Sequence, residues 1–290
     1  MSHAEIDSLV PSRDFNRRDF VRTAVGSGFA AAVLPVTAQT IRTDSSGLTV
    51  GEVMIPVGDF KMPAYRAMPA GRRDLPVVLV ISEIFGVHEH IADVARRFAR
   101  LGYLAIAPEL FVRQGDAGSY GEVSKLLAEV VTQVPDAQVM GDLDASVVWA
   151  KANGGDTSRL GVTGFCWGGR MTWLYSAHSP AVKAGVAWYG RLVGTPSALA
   201  PKHPVELAAG LKAPVLGLYG SEDGGIPLDT VEQMKRALAG GGGPARQSEF
   251  VVYPGAPHAF HADYRPTFRK DAAEDGWARC IAWFKSHGVA

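Results

Sequence analysis

A cysteine, an aspartate and a histidine, in that order along the chain, are the residues most able to do chemistry. Cys166 lies in Gly-Phe-Cys-Trp-Gly, residues 164–168, between a β-branched run and a segment with helical character. This matches the G-x-S-x-G nucleophile turn between a strand and a helix, with Cys in place of Ser. Flanking glycines let two elements approach closely, and the start of a helix favours a thiolate. We therefore predict that Cys166 is a nucleophile, with a structural cysteine in a glycine-rich turn as the alternative.

Asp223 and His258 complete the predicted set. Asp223 follows a predicted strand at 215–219, and His258 follows another at 250–253. A thiol nucleophile needs a base and a third group that orients the base. The order nucleophile, acid, histidine is that of α/β-hydrolases, and ligands bind at the carboxyl ends of strands in open parallel sheets. Each residue alone also fits a turn or surface position, but together with Cys166 they predict a Cys-His-Asp triad.

Strands that alternate with helices must position these residues. The pattern predicts an α/β fold with a mostly parallel central sheet and helices on both faces. A β-branched run at 77–81 is typical of a strand buried on both faces, and apolar residues over 91–101 have helical spacing. Segments 50–54 and 62–67 predict an antiparallel hairpin in which Pro63 indicates an edge strand.

Residues 1–38 are predicted to be a twin-arginine signal peptide. Arg17 and Arg18 form the arginine pair, and an apolar, small-residue stretch follows over 24–36. This stretch is too short to span a bilayer comfortably. We expect a periplasmic or otherwise exported protein, with 39–290 as a single domain that has no stable membrane association after processing. A basic tail that happens to contain two arginines, and a retained anchor, are the alternatives.

Charge and cysteine content exclude several classes of function. Lysine plus arginine and aspartate plus glutamate both number 29, and nucleic-acid binding would need a basic patch. Cys166 and Cys280 do not form a disulfide framework, and Cys280 has apolar neighbours typical of a core thiol. His88 and His90 are two positions apart and are expected to face apart, while His261 fits a surface position better than a pocket. We expect no metal site, no nucleic-acid partner and a monomer.

Five segments, in this order, resemble the dienelactone hydrolase family. They are Ser-Glu-Ile-Phe-Gly at 82–86, Ala-Pro-Glu-Leu-Phe at 107–111, Gly-Phe-Cys-Trp-Gly-Gly at 164–169, Tyr-Gly-Ser-Glu-Asp at 219–223 and Tyr-Pro-Gly-Ala-Pro-His-Ala-Phe at 253–260. The resemblance runs from about Met54 to the C-terminus. It implies an α/β-hydrolase fold and a carboxylic ester hydrolase of the carboxymethylenebutenolidase type. Such an enzyme acts on small esters or lactones through an acyl-cysteine, without a cofactor.

The resemblance also implies a role for Glu83. In the family, a glutamate at this place contacts the resting thiol and helps to form the thiolate. Because Glu83 lies between Ile81 and Phe85, we predict that an apolar site raises its pKa and lets it hold the thiol proton. The backbone N–H groups of Ile84 and Trp167 are then the expected oxyanion hole.

The substrate contacts are less well defined by the resemblance. The best-known members hold a substrate carboxylate with two arginines, but here Ala262 stands four residues after the predicted histidine and 120–125 contains no arginine. Arg113 and Arg265 are possible replacements, and each also fits a structural role. The candidate substrate contacts are Phe85, Arg113, Tyr189 and Phe260.

Two other functions fit the same fold. A peptidase or acyl-peptide hydrolase would usually use serine and often carries a propeller or lid domain, for which 290 residues leave no room. A non-catalytic binding protein is expected to lack a member of the triad, and here all three residue types are present.

Overall fold

The computed structural model describes residues 40–290, so the predicted signal peptide lies outside the described residues. The described chain contains one eight-stranded sheet with the strand order β1-β2-β4-β3-β5-β6-β7-β8. The strands are β1 Leu48–Val57, β2 Phe60–Pro69, β3 Leu75–Ile81, β4 Leu104–Pro108, β5 Gly155–Phe165, β6 Val182–Trp188, β7 Val215–Gly220 and β8 Glu249–Tyr253. Strands β3 to β8 run parallel, and β1 and β2 add an antiparallel hairpin beside β4. This is the predicted α/β-hydrolase fold.

Eight α-helices accompany the sheet in residues 40–290. They are α1 Glu89–Arg100, α2 Val123–Glu129, α3 Asp136–Ala152, α4 Trp167–His178, α5 Pro204–Leu207, α6 Leu228–Ala239, α7 Gly243–Gln247 and α8 Lys270–Ser286. None of these helices combines the length and the apolar composition needed to cross a membrane. Cys280 lies in α8 and is fully buried, as predicted, and this burial raises the pKa of its thiol.

The central strands are apolar because neighbouring elements cover them. All five residues of β4 and six of the seven in β3 are buried. A parallel strand covered on both faces needs apolar side chains at consecutive positions, which explains the β-branched run predicted as a strand.

The hairpin differs from its prediction at Pro63. Strand β2 lies between β1 and β4, so Pro63 is not on an edge strand and that prediction was wrong. Proline is tolerated because Pro63 lies one residue outside the β2–β4 ladder, whose last pair is Ala64 with Pro108. Its carbonyl accepts a hydrogen bond from the Glu109 N–H at 2.9 Å, and its missing N–H removes no ladder bond.

The topology of the sheet places the predicted catalytic residues at one edge. Strands β3, β5, β7 and β8 are parallel, so their carboxyl ends lie at the same edge. Glu83, Cys166, Asp223 and His258 each follow one of these ends by one to five residues. Four residues distant in sequence thereby become neighbours.

Candidate active site

Cys166 occupies the tight turn between β5 and α4. Its backbone has φ 55° and ψ −114°, a strained conformation for a residue with a side chain. Its N–H donates to the Trp188 carbonyl at 3.0 Å. A Cβ on Gly164 would overlap the Gly168 carbonyl, and one on Gly168 would overlap the carbonyl of Ile81. Both glycines are therefore needed for the close approach that the motif predicted.

His258 and Asp223 form a buried pair. The His258 Nδ1 and the Asp223 Oδ2 are 2.7 Å apart, and Asp223 Oδ1 accepts from the N–H groups of Gly225 and Ile226. Burial alone would lower the pKa of His258. The charges of Cys166 and Asp223 outweigh burial and raise that pKa to about 10. With Nδ1 engaged, Nε2 is the ring nitrogen available to the thiol.

Cys166 and His258 line the same cavity, of about 260 Å³. Tyr189 also lines it, with its ring edge-on to that of His258 at a centroid distance of 5.1 Å. Further out, Arg170 forms two 2.7 Å hydrogen bonds with Asp136, so that guanidinium is already neutralised. Tyr189 therefore lines the cavity, and its role as a substrate contact stays a prediction.

The other predicted substrate contacts have different surroundings. Arg113 donates to both carboxylate oxygens of Asp142, at 2.6 and 2.7 Å, and lies over the ring of Phe60. Arg113 does not line the cavity. Phe260 is fully buried against Tyr189, and Phe85 is half-buried. Arg113 and Phe260 are therefore held by the fold rather than exposed to the cavity.

The predicted oxyanion hole lies across two adjacent strands. Ile81 in β3 pairs with Gly164 in β5, and Ile84 and Trp167 each lie three residues further along. Trp167 is the first residue of α4, so its N–H has no acceptor within its own helix. The oxyanion hole at Ile84 and Trp167 stays a prediction.

Glu83 has a different ionisation from the one predicted. Glu83 is only 2% exposed, and its Oε2 lies 3.1 Å from the His88 Nε2. Burial raises the pKa of Glu83, but His88, with further help from His90 and Arg265, lowers it to about 2. The predicted rise in the pKa of Glu83 was wrong. The sequence showed the apolar neighbours of Glu83, but it did not show that the His88 side chain contacts the carboxylate.

The predictions for three other histidines also need correction. The rings of His88 and His90 stack, with centroids 6.1 Å apart, so they do not face apart. His90 pairs with Asp263 through Nδ1 at 3.2 Å. His261 is 2% exposed and stacks on Phe165, and burial lowers its pKa well below the usual value. The surface interpretation of His261 was therefore wrong.

Arg265 was one of two candidate replacements for the family's arginines. It is buried, with its guanidinium 5.0 Å from the centre of the Phe85 ring. Burial would lower the pKa of Arg265, but Tyr264, Glu83 and Cys166 raise it. Arg265 therefore lies within electrostatic reach of both Glu83 and the thiol, unlike Arg113.

Glu109 is a residue that the sequence did not single out as functional, although it lies in one of the five motifs. Its Oε2 accepts from the Val87 N–H at 2.7 Å, and a Cβ on Gly86 would meet both carboxylate oxygens within 2.8 Å. Glu109 thus packs against the loop that carries Glu83. Burial raises its pKa to about 7, although backbone N–H groups, including that of Val87, act in the opposite direction.

Glu109→Gln is expected to remove one pH dependence of stability. Glu109 binds its proton more tightly in the folded chain, so the free energy of unfolding falls as pH rises from 4.5 to about 7. The substitution should remove this fall and raise stability at pH 8 by at most about 3 kcal/mol. Urea unfolding of both proteins at pH 5 and pH 8 measures the change in the free energy of unfolding. Parallel pH profiles for both proteins would contradict the assignment.

Comparison with known proteins shows which family this chain resembles. The model of the "Dienelactone hydrolase family" matches residues 62–288. A "Putative carboxymethylenebutenolidase" from Methylorubrum extorquens is 59% identical, over 99% of this chain and 98% of its own length. Another with this name, from Escherichia coli K12, is 51% identical over 92% of this chain and 97% of its own length.

A solved structure gives the same result. The crystal structure of "Putative Dienelactone Hydrolase" from Klebsiella pneumoniae is 55% identical, covers 82% of this chain and 98% of its own, and has a TM-score of 0.80. Similarity in sequence and similarity in fold to this family thus both extend over nearly all of the described residues. The chain belongs to the dienelactone hydrolase family.

Proposed function

We propose that this protein hydrolyses small carboxylic esters or lactones through an acyl-cysteine at Cys166. The observation that carries the proposal is that Cys166 and His258 line one cavity while Asp223 holds the His258 Nδ1 at 2.7 Å. A nucleophile, its base and an orienting carboxylate are the parts required for covalent acyl transfer.

Acylation begins when the Cys166 thiol proton passes to His258. The sulfur then attacks the substrate carbonyl carbon, and the N–H groups of Ile84 and Trp167 stabilise the resulting oxyanion. Collapse of this intermediate breaks the carbon–oxygen bond, and His258 returns its proton to the leaving oxygen. In a lactone, that oxygen stays attached to the acyl group.

Deacylation reverses these roles. His258 takes a proton from water, the hydroxide attacks the thioester carbonyl, and the released sulfur recovers a proton from His258. Asp223 stabilises the imidazolium in both halves because it accepts from the Nδ1–H.

Hydrolysis of p-nitrophenyl acetate tests the proposal. We expect turnover that stops when iodoacetamide alkylates Cys166; the Cys280→Ala variant keeps the buried second thiol out of the measurement. A panel of lactones, activated esters and short peptides then separates the alternatives. Faster cleavage of peptides would favour a peptidase, and no turnover of any compound would favour a non-catalytic binding protein.

We also propose export through the twin-arginine pathway, on the basis of Arg17, Arg18 and the apolar stretch after them. Replacement of both arginines by lysine keeps the charge and should retain the protein in the cytoplasm. Cell fractionation of a bacterial host measures this. Unchanged periplasmic recovery of the double variant would contradict the proposal.

A further inference from the structure

His88 is a buried histidine that the triad mechanism does not use. Its Nε2 lies 3.1 Å from the Glu83 Oε2, and both side chains are 3% exposed. The ring is held from several sides, edge-on to Phe85 and Tyr264 and stacked on His90. His88 is therefore a fixed partner of Glu83 rather than a mobile surface side chain.

Glu83 and Cys166 share the same electrostatic surroundings. Their charges both act on the hydroxyls of Tyr189 and Tyr264 and on the guanidinium of Arg265. A carboxylate in this position disfavours the thiolate, whereas a protonated carboxyl does not. Glu83 and Cys166 therefore act on the same three groups, and a negative charge on Glu83 adds to the field in which a charge on Cys166 would form.

We propose that His88 is a positioning residue that holds Glu83 as a fixed, ionised carboxylate beside Cys166. The proposal rests on the function proposed for Cys166 and adds a residue to it. A buried carboxylate without a donor would take up a proton, since desolvation penalises its charged form. The His88 Nε2–H supplies the donor, while the second oxygen, Oε1, has no protein partner.

Several ionisable groups besides His88 surround Glu83. Ionisable side chains in electrostatic reach of the carboxylate are His88, His90, His261, Tyr189, Tyr264 and Arg265. His88 is bonded to the Glu83 carboxylate through its Nε2 at 3.1 Å, which makes it the group to test first. His90 is instead bonded to Asp263, which makes it a suitable control.

Infrared spectroscopy of the carboxyl group tests the proposal directly. At pH 6, the spectrum of the wild type minus that of Glu83→Gln should lack the carbonyl stretch of a protonated carboxyl. The same difference taken in the His88→Leu background should contain it. Subtraction of each Glu83→Gln counterpart removes the contribution of Glu109, which also takes up a proton near this pH.

The alkylation of Cys166 gives a second readout. In His88→Leu, iodoacetamide should react several-fold faster than in the wild type at pH 6, because a protonated Glu83 no longer opposes the thiolate. His88→Gln, which keeps an N–H donor, and the control His90→Gln should both stay near the wild-type rate. A merely structural role for His88 would not predict this rescue.

Three results would overturn the proposal. They are a Glu83-dependent protonated carboxyl in the wild type at pH 6, a folded His88→Leu variant without that band, and faster alkylation in His88→Leu that persists when Glu83→Gln is added. The first result is measured without a His88 variant, so it can overturn the proposal even if His88→Leu does not fold. None of these measurements needs ester turnover, so loss of the proposed function would be seen separately, in the p-nitrophenyl acetate assay.

Discussion

Cys166→Ala is expected to lower kcat/KM for ester hydrolysis by several orders of magnitude and to leave the fold intact. The substitution removes the atom that forms the acyl intermediate, and the remaining groups cannot replace that covalent path. The side chain lies at a turn beside the cavity, so its loss leaves the sheet unchanged. Steady-state kinetics and thermal unfolding on the same preparations measure both effects.

Cys280→Ala is the matched control, because Cys280 is the second free thiol among the described residues. It is fully buried in α8, so we expect unchanged turnover and a loss of stability of about 1 kcal/mol. Activity of Cys166→Ala within tenfold of the wild type would remove Cys166 from the mechanism.

Cys166→Ser should also lose most of its activity. A serine hydroxyl has a far higher intrinsic pKa than a thiol and needs a stronger base. The ionised carboxylate of Glu83 acts on the same neighbouring groups as Cys166 and would further oppose an alkoxide. Turnover near that of the wild type would show that the site works as an ordinary serine esterase.

Asp223→Asn is expected to lower kcat by about a thousandfold or more, since the asparagine amide favours the wrong tautomer of His258. The pKa of His258 should fall as well, because Asp223 is one of the groups that raise it to about 10. Kinetics over pH 6–9 measure the loss. A variant with wild-type kcat throughout this range would exclude Asp223 from the mechanism.

The Asp223→Asn substitution should also change how the stability of the fold depends on pH. The raised pKa of His258 stabilises the fold fully below 6.5, the ordinary histidine value, and this contribution is lost as pH rises to about 10. In Asp223→Asn, part of this loss between pH 6.5 and 10 should disappear. Urea unfolding across that range measures the change, and an unaltered slope would mean that Asp223 does not interact with the His258 charge.

The sequence alone was enough to predict the fold and the positions of Cys166, Asp223 and His258. Each prediction depended on a local pattern, namely a strand followed by a turn residue of a particular type. The carboxyl ends of parallel strands lie at the same edge of a sheet, so local patterns were enough to predict that these residues meet. The observed 2.7 Å contact between His258 and Asp223 agrees with this reasoning.

Only the tertiary structure decided the electrostatic state of the residues around that site. Glu83 is ionised because the His88 side chain contacts its carboxylate. Arg113 forms an ion pair with Asp142, and His261 is buried against the ring of Phe165. Each of these outcomes depends on a contact that no sequence period specifies. A pKa is the balance of burial against such contacts, so it could not be predicted before the fold was known.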